Sequence, residues 1–378
     1  MTIGFDGIRT ADGDSKLNYY DRLLISSLGM EYPQETFMVY TPENSSDRGL
    51  SWLLSIPNVH LKTPYKAYNK WTWRNWSGIY TDFHRHGVKI YHGLDSVLPL
   101  RRNKEKIKMI VTVRDLSFKR LMDDYSFFEK LRRSSRIHRA CKKADRVIAT
   151  SQYLKDIIIN RYHIDAGKID VIYSAYRDEY ETNLKDNVFL STVKNKYNMP
   201  TNFILAITDF GKLSNMETLY HALANIDNKD MDLVIIGPKN DNYRKLKKLA
   251  DKLNIEDRIV RISKINKHNF MGIYALSQAY IDTSLQDGMG QNIIEALYSQ
   301  TPVIATDDGC HREIAKDAAL YFEPTSVEQL TRHINTVLSS DDKCQNMKLK
   351  GREIAEKFNQ QIMAQNTMLT YNKARGKA

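Results

Sequence analysis

The stretch YIDTSLQDGMGQNIIEALYSQTPVIATDDGCHREIAKDAALYFEP, Tyr280 to Pro324, constrains the fold more than any other part of the chain. A short apolar run from Tyr280 to Thr283 is followed by Gly288 and Gly290. Asn292 to Tyr298 has helical spacing, and Pro302 to Ala305 is apolar again before a second glycine turn at Thr306 to Gly309. Strand, turn, helix and strand in that order make a βαβ unit. Its first turn and the N-terminus of its helix form a concave site with free backbone N–H groups, suited to an anion such as phosphate. Asp287 enters this turn and Glu295 lies inside the helix, so two carboxylates flank the crevice. On the residues alone a second reading stays open, with Asp287 as a turn former and Glu295 as an exposed helix residue.

The same alternation runs through the chain. Apolar strands are expected at Ile3 to Asp6, Thr36 to Tyr40, Val59 to Leu61, Val88 to Tyr91, Lys108 to Val113, Asp145 to Ala149 and Ile169 to Tyr173, with helices between them. A polar segment from Arg177 to Asp186 and Pro200-Thr201-Asn202 mark a boundary. The pattern then restarts with strands at Phe203 to Ile207, Leu233 to Ile236 and Ile259 to Ile262. The expected fold class is α/β: two Rossmann-like, doubly wound domains facing across a crevice. The domains are expected at 1–183 and 184–359, with a last helix, 360–378, crossing back to the first. A length of 378 residues suits two such domains.

Composition excludes several classes. Cys141, Cys310 and Cys344 form no metal-ligand spacing, so neither a disulfide framework nor a structural zinc site is expected. No leader-like N-terminus and no apolar run of about 18 residues occur, which points to a cytoplasmic chain that does not span a membrane. The net charge of +11 is concentrated: Arg101 to Arg146 holds sixteen Lys or Arg against six Asp or Glu. Within it Arg132, Arg136, Arg139 and Lys143 recur at three- and four-residue intervals and share a helix face. That face reads either as a solvated surface or as a contact for an anionic inner membrane leaflet or an acidic ligand. Nucleic acid is not expected, because no binding motif or aromatic platform accompanies the charge. The cluster Trp71, Trp73 and Trp76 is open between a sugar platform and core packing.

With these residues laid out, the chain resembles the family 4 glycosyltransferases of the two-domain GT-B fold. The resemblance rests on FDGIR at Phe5 to Arg9, IYHGL at Ile90 to Leu94, VTVRDLSF at Val111 to Phe118 and CKKADRVIATSQYLKDII at Cys141 to Ile158. KIDVIY at Lys168 to Tyr173 and, above all, Tyr280 to Pro324 complete it. It implies sugar transfer from a nucleoside-diphosphate sugar to a glycan, lipid-linked or small acceptor in cell-surface polysaccharide or glycoconjugate synthesis. Retention of anomeric configuration, no metal and no cofactor beyond the donor substrate are implied with it. The family's two glutamates separated by seven residues appear here as Asp287 and Glu295. Glu295 would contact the donor ribose, Asp287 would sit near the transferred sugar, and Gly288, Gly290 and Asn292 would offer backbone donors to phosphate.

Four site elements depart from the family pattern. Asp287 is one methylene shorter than the family's glutamate. Where the family has His-Asp-Leu this chain has Arg114-Asp115-Leu116. Where it places an Arg-Lys pair against the diphosphate, Leu213 and Ser214 stand here. The glycine loop after the first strand is replaced by Ser15-Lys16-Leu17-Asn18. Lys16, Arg114 and Lys212 bring cations to the same loops, so they are expected either to replace the phosphate clamp or to face solvent and pair with nearby carboxylates. The alternative function is a non-catalytic member of the same fold that binds a glycan or pairs with an active transferase.

Overall fold

The computed structural model describes residues 1–7, 16–42, 53–65, 70–75, 77–100, 107–117, 127–176, 184, 186–266 and 269–376. The chain forms two compact units, 1–175 with 360–378, and 176–359. The division falls at Ala175 rather than at the expected 183.

The first unit holds a seven-stranded sheet of β1 (Thr2–Asp6), β2 (Thr36–Tyr40), β3 (Val59–Lys62), β4 (Ile90–Gly93), β5 (Lys108–Val113), β6 (Arg146–Ala149) and β7 (Ile169–Val171). Its order is β3-β2-β1-β4-β5-β6-β7 and every pairing is parallel. The second unit has six parallel strands, β8 (Phe203–Ile207), β9 (Asp232–Ile236), β10 (Ile259–Ile262), β11 (Ala279–Asp282), β12 (Val303–Thr306) and β13 (Ala319–Phe322). They run in the order β10-β9-β8-β11-β12-β13. Strands such as VIAT of β12 and AYID of β11 are buried along their whole length, because helices cover both faces of a parallel sheet.

Strand order reverses between β1 and β4 in the first sheet and between β8 and β11 in the second. At such switch points the loops leaving the carboxyl ends of two neighbouring strands part in opposite directions and leave a pocket. In the second unit those loops are the segments that follow Ile207 and Asp282.

The final helix, Gln360–Ala374, belongs to the first unit and packs against the helix Lys16–Glu31. Tyr371 Oη lies 2.8 Å from His92 Nδ1, and the Lys373 ammonium donates to Asp170 at 2.9 Å. His92 is fully buried, with Thr112 Oγ1 on its other ring nitrogen at 2.6 Å. Burial first, and then the Arg114 charge, push its pKa down to about 3, so the ring is neutral.

Trp73 is a core residue whose indole N–H donates to Asp82 at 2.7 Å, which settles the packing reading for that tryptophan. The Trp71 side chain and Trp76 lie outside the described residues. On the basic helix Phe127–Lys143, Arg132, Arg136 and Arg139 are exposed. Lys143 does not share their surface: its ammonium turns inward to the Pro99 carbonyl, and burial lowers its pKa to about 8.

Candidate functional site

The loop after β11 is held from both sides. Thr283 donates its hydroxyl to the Ser214 carbonyl at 2.5 Å, and Leu285 its N–H to the Leu213 carbonyl at 2.8 Å. The segment after β8, with Lys212 exposed on it, is thereby fastened to the loop that carries Asp287. Leu213 and Ser214, which stand where the resemblance places two cations, contribute backbone carbonyls instead.

On the other side Gly309 lies against Asp287, and Cys310 donates its N–H to the Asp287 carbonyl at 2.9 Å. The helix Gln291–Tyr298 then starts at Gly290, whose φ of 65° is left-handed. A Cβ at position 290 would also meet Ile314 Cγ1 at 2.7 Å, so glycine is required twice over. No side chain caps this helix, so the N–H groups of its first turn, Asn292 among them, point out of its N-terminus.

Asp287 does more than form the turn. Its Oδ1 accepts the Met289 N–H at 2.9 Å, and the Gly290 N–H also bonds to the carboxylate. The Gly290 N–H therefore serves Asp287, which corrects the expectation that it is offered to phosphate. Removal from water, and then the neighbouring Asp282 carboxylate, push the Asp287 carboxyl above its ordinary range against the pull of His311 and the two N–H groups. Gly288 is buried within the turn.

Glu295 is 1% exposed, which removes the reading of it as a solvated helix residue. Its Oε1 accepts the Gln291 side-chain N–H at 3.1 Å, one turn back on the same helix face. A buried carboxylate one turn inside a helix whose N-terminus lies at a switch point can accept hydroxyl donors from a ligand lying over the first turn.

The first-unit residues are placed differently from expectation. Arg114 is 4% exposed and donates from Nη1 to Asp21 at 2.8 Å, with Asp95 at 4.0 Å and the Tyr20 ring beneath it. Its charge is matched by a buried carboxylate of its own unit, so it is not the cation that replaces a phosphate clamp. Asp115 is exposed and accepts the Ser117 N–H at 2.6 Å, a local turn. Lys16 opens the helix Lys16–Glu31, and its side chain lies outside the described residues.

Two parallel sheets in tandem, each with a switch point, define an α/β protein of the GT-B type, and solved structures agree. The fold matches sucrose-phosphate synthase from Thermosynechococcus elongatus with a TM-score of 0.78 at 18% identity, covering 100% of both chains. It matches Anabaena HepE, solved in complex with UDP and glucose, with a TM-score of 0.76 at 18% identity, covering 99% of this chain and 100% of that one. The family described as Glycosyl transferases group 1 matches residues 190–354, and Glycosyltransferase Family 4 matches residues 36–179. The chain belongs to glycosyltransferase family 4. Among curated relatives it is similar to the O-antigen chain mannosyltransferase RfbU of Salmonella typhimurium, 24% identical over 60% of this chain and 58% of that protein. It is 21% identical to the O-antigen chain mannosyltransferase B of Escherichia coli, over 75% of this chain and 74% of that one. The alignment with RfbU thus spans little more than half of that relative's length.

Sequence reasoning missed His311. It packs with Asp282 and Asp287 at the base of the loop, and no spacing motif joins the three.

Proposed function

We propose that this protein is a glycosyltransferase that moves a sugar from a nucleoside-diphosphate sugar to a glycan or lipid-linked acceptor in cell-surface polysaccharide synthesis. The observation that carries the reading is the uncapped helix N-terminus at Gly290, at the β8/β11 switch point, with Glu295 buried on the turn behind it. A leaving diphosphate carries negative charge, and oriented N–H groups at a helix N-terminus stabilise it without reorganisation. In this reading Asn292 and its neighbours face the diphosphate, Lys212 adds a cation from the adjoining loop, Glu295 holds the ribose and Asp287 faces the transferred sugar. The configuration is retained and the sugar-transfer step itself uses no metal, as the family resemblance implies.

The relatives named as O-antigen mannosyltransferases put the mannose esters of GDP and UDP first in a donor panel. The exposed Phe128 and Leu131 beside Arg132 on the basic helix support a peripheral seat on an anionic cytoplasmic leaflet, close to a lipid-linked acceptor. Thermal-shift measurements with UDP- and GDP-sugars test the reading directly. A rise in melting temperature with at least one donor, and slow donor hydrolysis, are expected. No shift and no hydrolysis across the panel would reject it.

A further inference from the structure

Charged side chains of alternating sign line the carboxyl ends of β1, β4 and β5 in the first unit. Asp6 ends β1, Asp95 follows shortly after β4, and Arg114 comes directly after β5. Arg74, on the helix Lys70–Asn75, donates from Nη2 to Asp6 Oδ2. Arg114 donates to Asp21 on one side and has Asp95 Oδ1 at 4.0 Å on the other. Burial opposes the Arg74 charge, but Asp6 and, more weakly, Asp95 act on it strongly enough to hold its pKa above the ordinary value. The row therefore runs Asp6, Arg74, Asp95, Arg114, Asp21. It crosses the β1/β4 switch point, the place where a parallel sheet receives its ligand.

The members of this row differ in burial. The side chains of Asp6, Arg114 and Asp21 are 4%, 4% and 1% exposed, whereas Arg74 and Asp95 keep 19% and 22%. The buried members orient the two that reach the surface: Asp6 holds the Arg74 guanidinium, and Arg114, anchored by Asp21, faces the Asp95 carboxylate. A donor and an acceptor are thus held close together before any ligand arrives. A hydroxyl group both donates and accepts, so two neighbouring hydroxyls can satisfy such a couple with a bond to each member. A phosphate or carboxylate fits it poorly. Three of the five side chains are acidic and each guanidinium already faces a carboxylate, so an anion would meet Asp95 without an unmatched cation to offset it.

We propose that Arg74 and Asp95 are specificity-determining residues that bind two neighbouring hydroxyls of the acceptor, and that the acceptor's reacting unit is a neutral sugar rather than a phosphorylated or acidic one. Asp6 and Arg114 are positioning residues that hold this pair. Arg114, at the position where the resemblance places a histidine, thereby serves the acceptor and not a donor phosphate. The inference rests on the sugar-transfer reading and adds to it the chemistry of the acceptor, which the residues around Asp287 and Glu295 leave open.

The test uses the full chain with a nucleoside-diphosphate sugar that raises its melting temperature. The acceptors are p-nitrophenyl mannoside, glucoside and galactoside, which are neutral, and p-nitrophenyl glucuronide, which is anionic, with product counted by mass spectrometry. Transfer to at least one neutral glycoside is expected, with at least about 100-fold less to the glucuronide. Asp95→Asn keeps the side-chain shape and removes the charge. It is expected to raise the acceptor KM about 10- to 100-fold, with a smaller change in kcat and with the donor-induced rise in melting temperature retained. Arg74→Lys, which keeps a cation beside Asp6 but loses the planar fork, should raise the acceptor KM about 10-fold. Asp95→Ala, at the most exposed position of the row, repeats the measurement if Arg74→Lys fails to fold. Equal use of the glucuronide, donor hydrolysis with no transfer to any neutral glycoside, or an unchanged acceptor KM in Asp95→Asn would overturn the proposal. A parent chain with neither a donor-induced shift nor donor hydrolysis is a distinct result, which would remove the transferase reading and the proposal with it.

Discussion

Gly309 lies so close to Asp287 that a Cβ at position 309 would meet the Asp287 carbonyl oxygen at 2.5 Å and its nitrogen at 2.7 Å. Its φ of 62° is left-handed as well. Gly309→Ala therefore combines backbone strain with a clash against main chain that cannot swing aside. A loss of about 1–3 kcal/mol is expected, seen as a lower melting temperature together with weaker donor binding. A fully stable Gly309→Ala protein would show that the contact is looser than described.

Glu295→Gln keeps the shape of the buried side chain and removes its charge. If Glu295 holds the ribose, nucleoside-diphosphate affinity falls by about 10- to 100-fold, the range of a lost charge-assisted hydrogen bond. Calorimetric titration of UDP and GDP measures this, with circular dichroism as the control for folding. Unchanged affinity would remove Glu295 from the donor site.

The pair Arg114 and Asp21 is buried on both sides. Arg114→Met strands the Asp21 carboxylate and is expected to cost about 3–5 kcal/mol, whereas the double change Arg114→Met with Asp21→Leu recovers most of the loss. Denaturant unfolding of the four proteins of the cycle gives the coupling directly. Additive losses would mean that the two side chains are held independently.

His92 sets a pH dependence of stability. Its folded pKa is about 3, against about 6.5 in the unfolded chain. Between these values the unfolded state binds a proton that the folded state does not. The contribution is therefore fully present above about pH 6.5 and is lost as pH falls toward 3, by at most about 1.4 kcal/mol per pH unit. The stability difference between the parent and His92→Gln, measured from pH 7 to pH 4, is expected to shrink on acidification. A difference independent of pH would contradict a neutral buried ring.

Membrane attachment through the basic helix separates two sets of residues. Changing Arg132, Arg136 and Arg139 together to Gln removes about 1 kcal/mol of attraction each at an anionic surface, or about 100-fold in all. Lys143→Gln should leave binding to phosphatidylglycerol vesicles nearly unchanged, because that ammonium is turned to Pro99. Sedimentation with vesicles at low and physiological salt reads both. Equal losses in the two proteins would return Lys143 to the exposed face.

Much of the architecture was legible in the sequence because its determinants are local. The apolar strand cores, the glycines at 288, 290 and 309, and the helical spacing of Asn292 to Tyr298 each follow from periodicity over a few residues. They were enough to read two doubly wound units and to read Tyr280 to Pro324 as the strand, turn and helix of a βαβ unit. The cap of the helix Gln152–Tyr162 is equally local: the Ser151 hydroxyl accepts the Leu154 N–H at 3.2 Å, three residues on.

The partners of individual side chains were not legible, because strand order brings them together from distant parts of the chain. Arg114 meets Asp21, 93 positions away, only because the fold brings the end of β5 to the helix Lys16–Glu31, with β4 standing between β5 and β1 in the sheet. Spacing put Lys143 on one helix face with three arginines, and the Pro99 carbonyl drew it inward. Glu295 could have been a solvated helix residue until the packing around its helix buried it. His311 reaches Asp282 and Asp287 because β11 and β12 are neighbours in the sheet, so the turns at their carboxyl ends meet. The sequence by itself determined the two α/β units and the glycine turn that opens the helix Gln291–Tyr298, through short-range periodicity and backbone sterics. Only the tertiary structure decided which charges are neutralised, which are buried and which acceptors converge, because desolvation and charge pairing depend on neighbours that topology supplies.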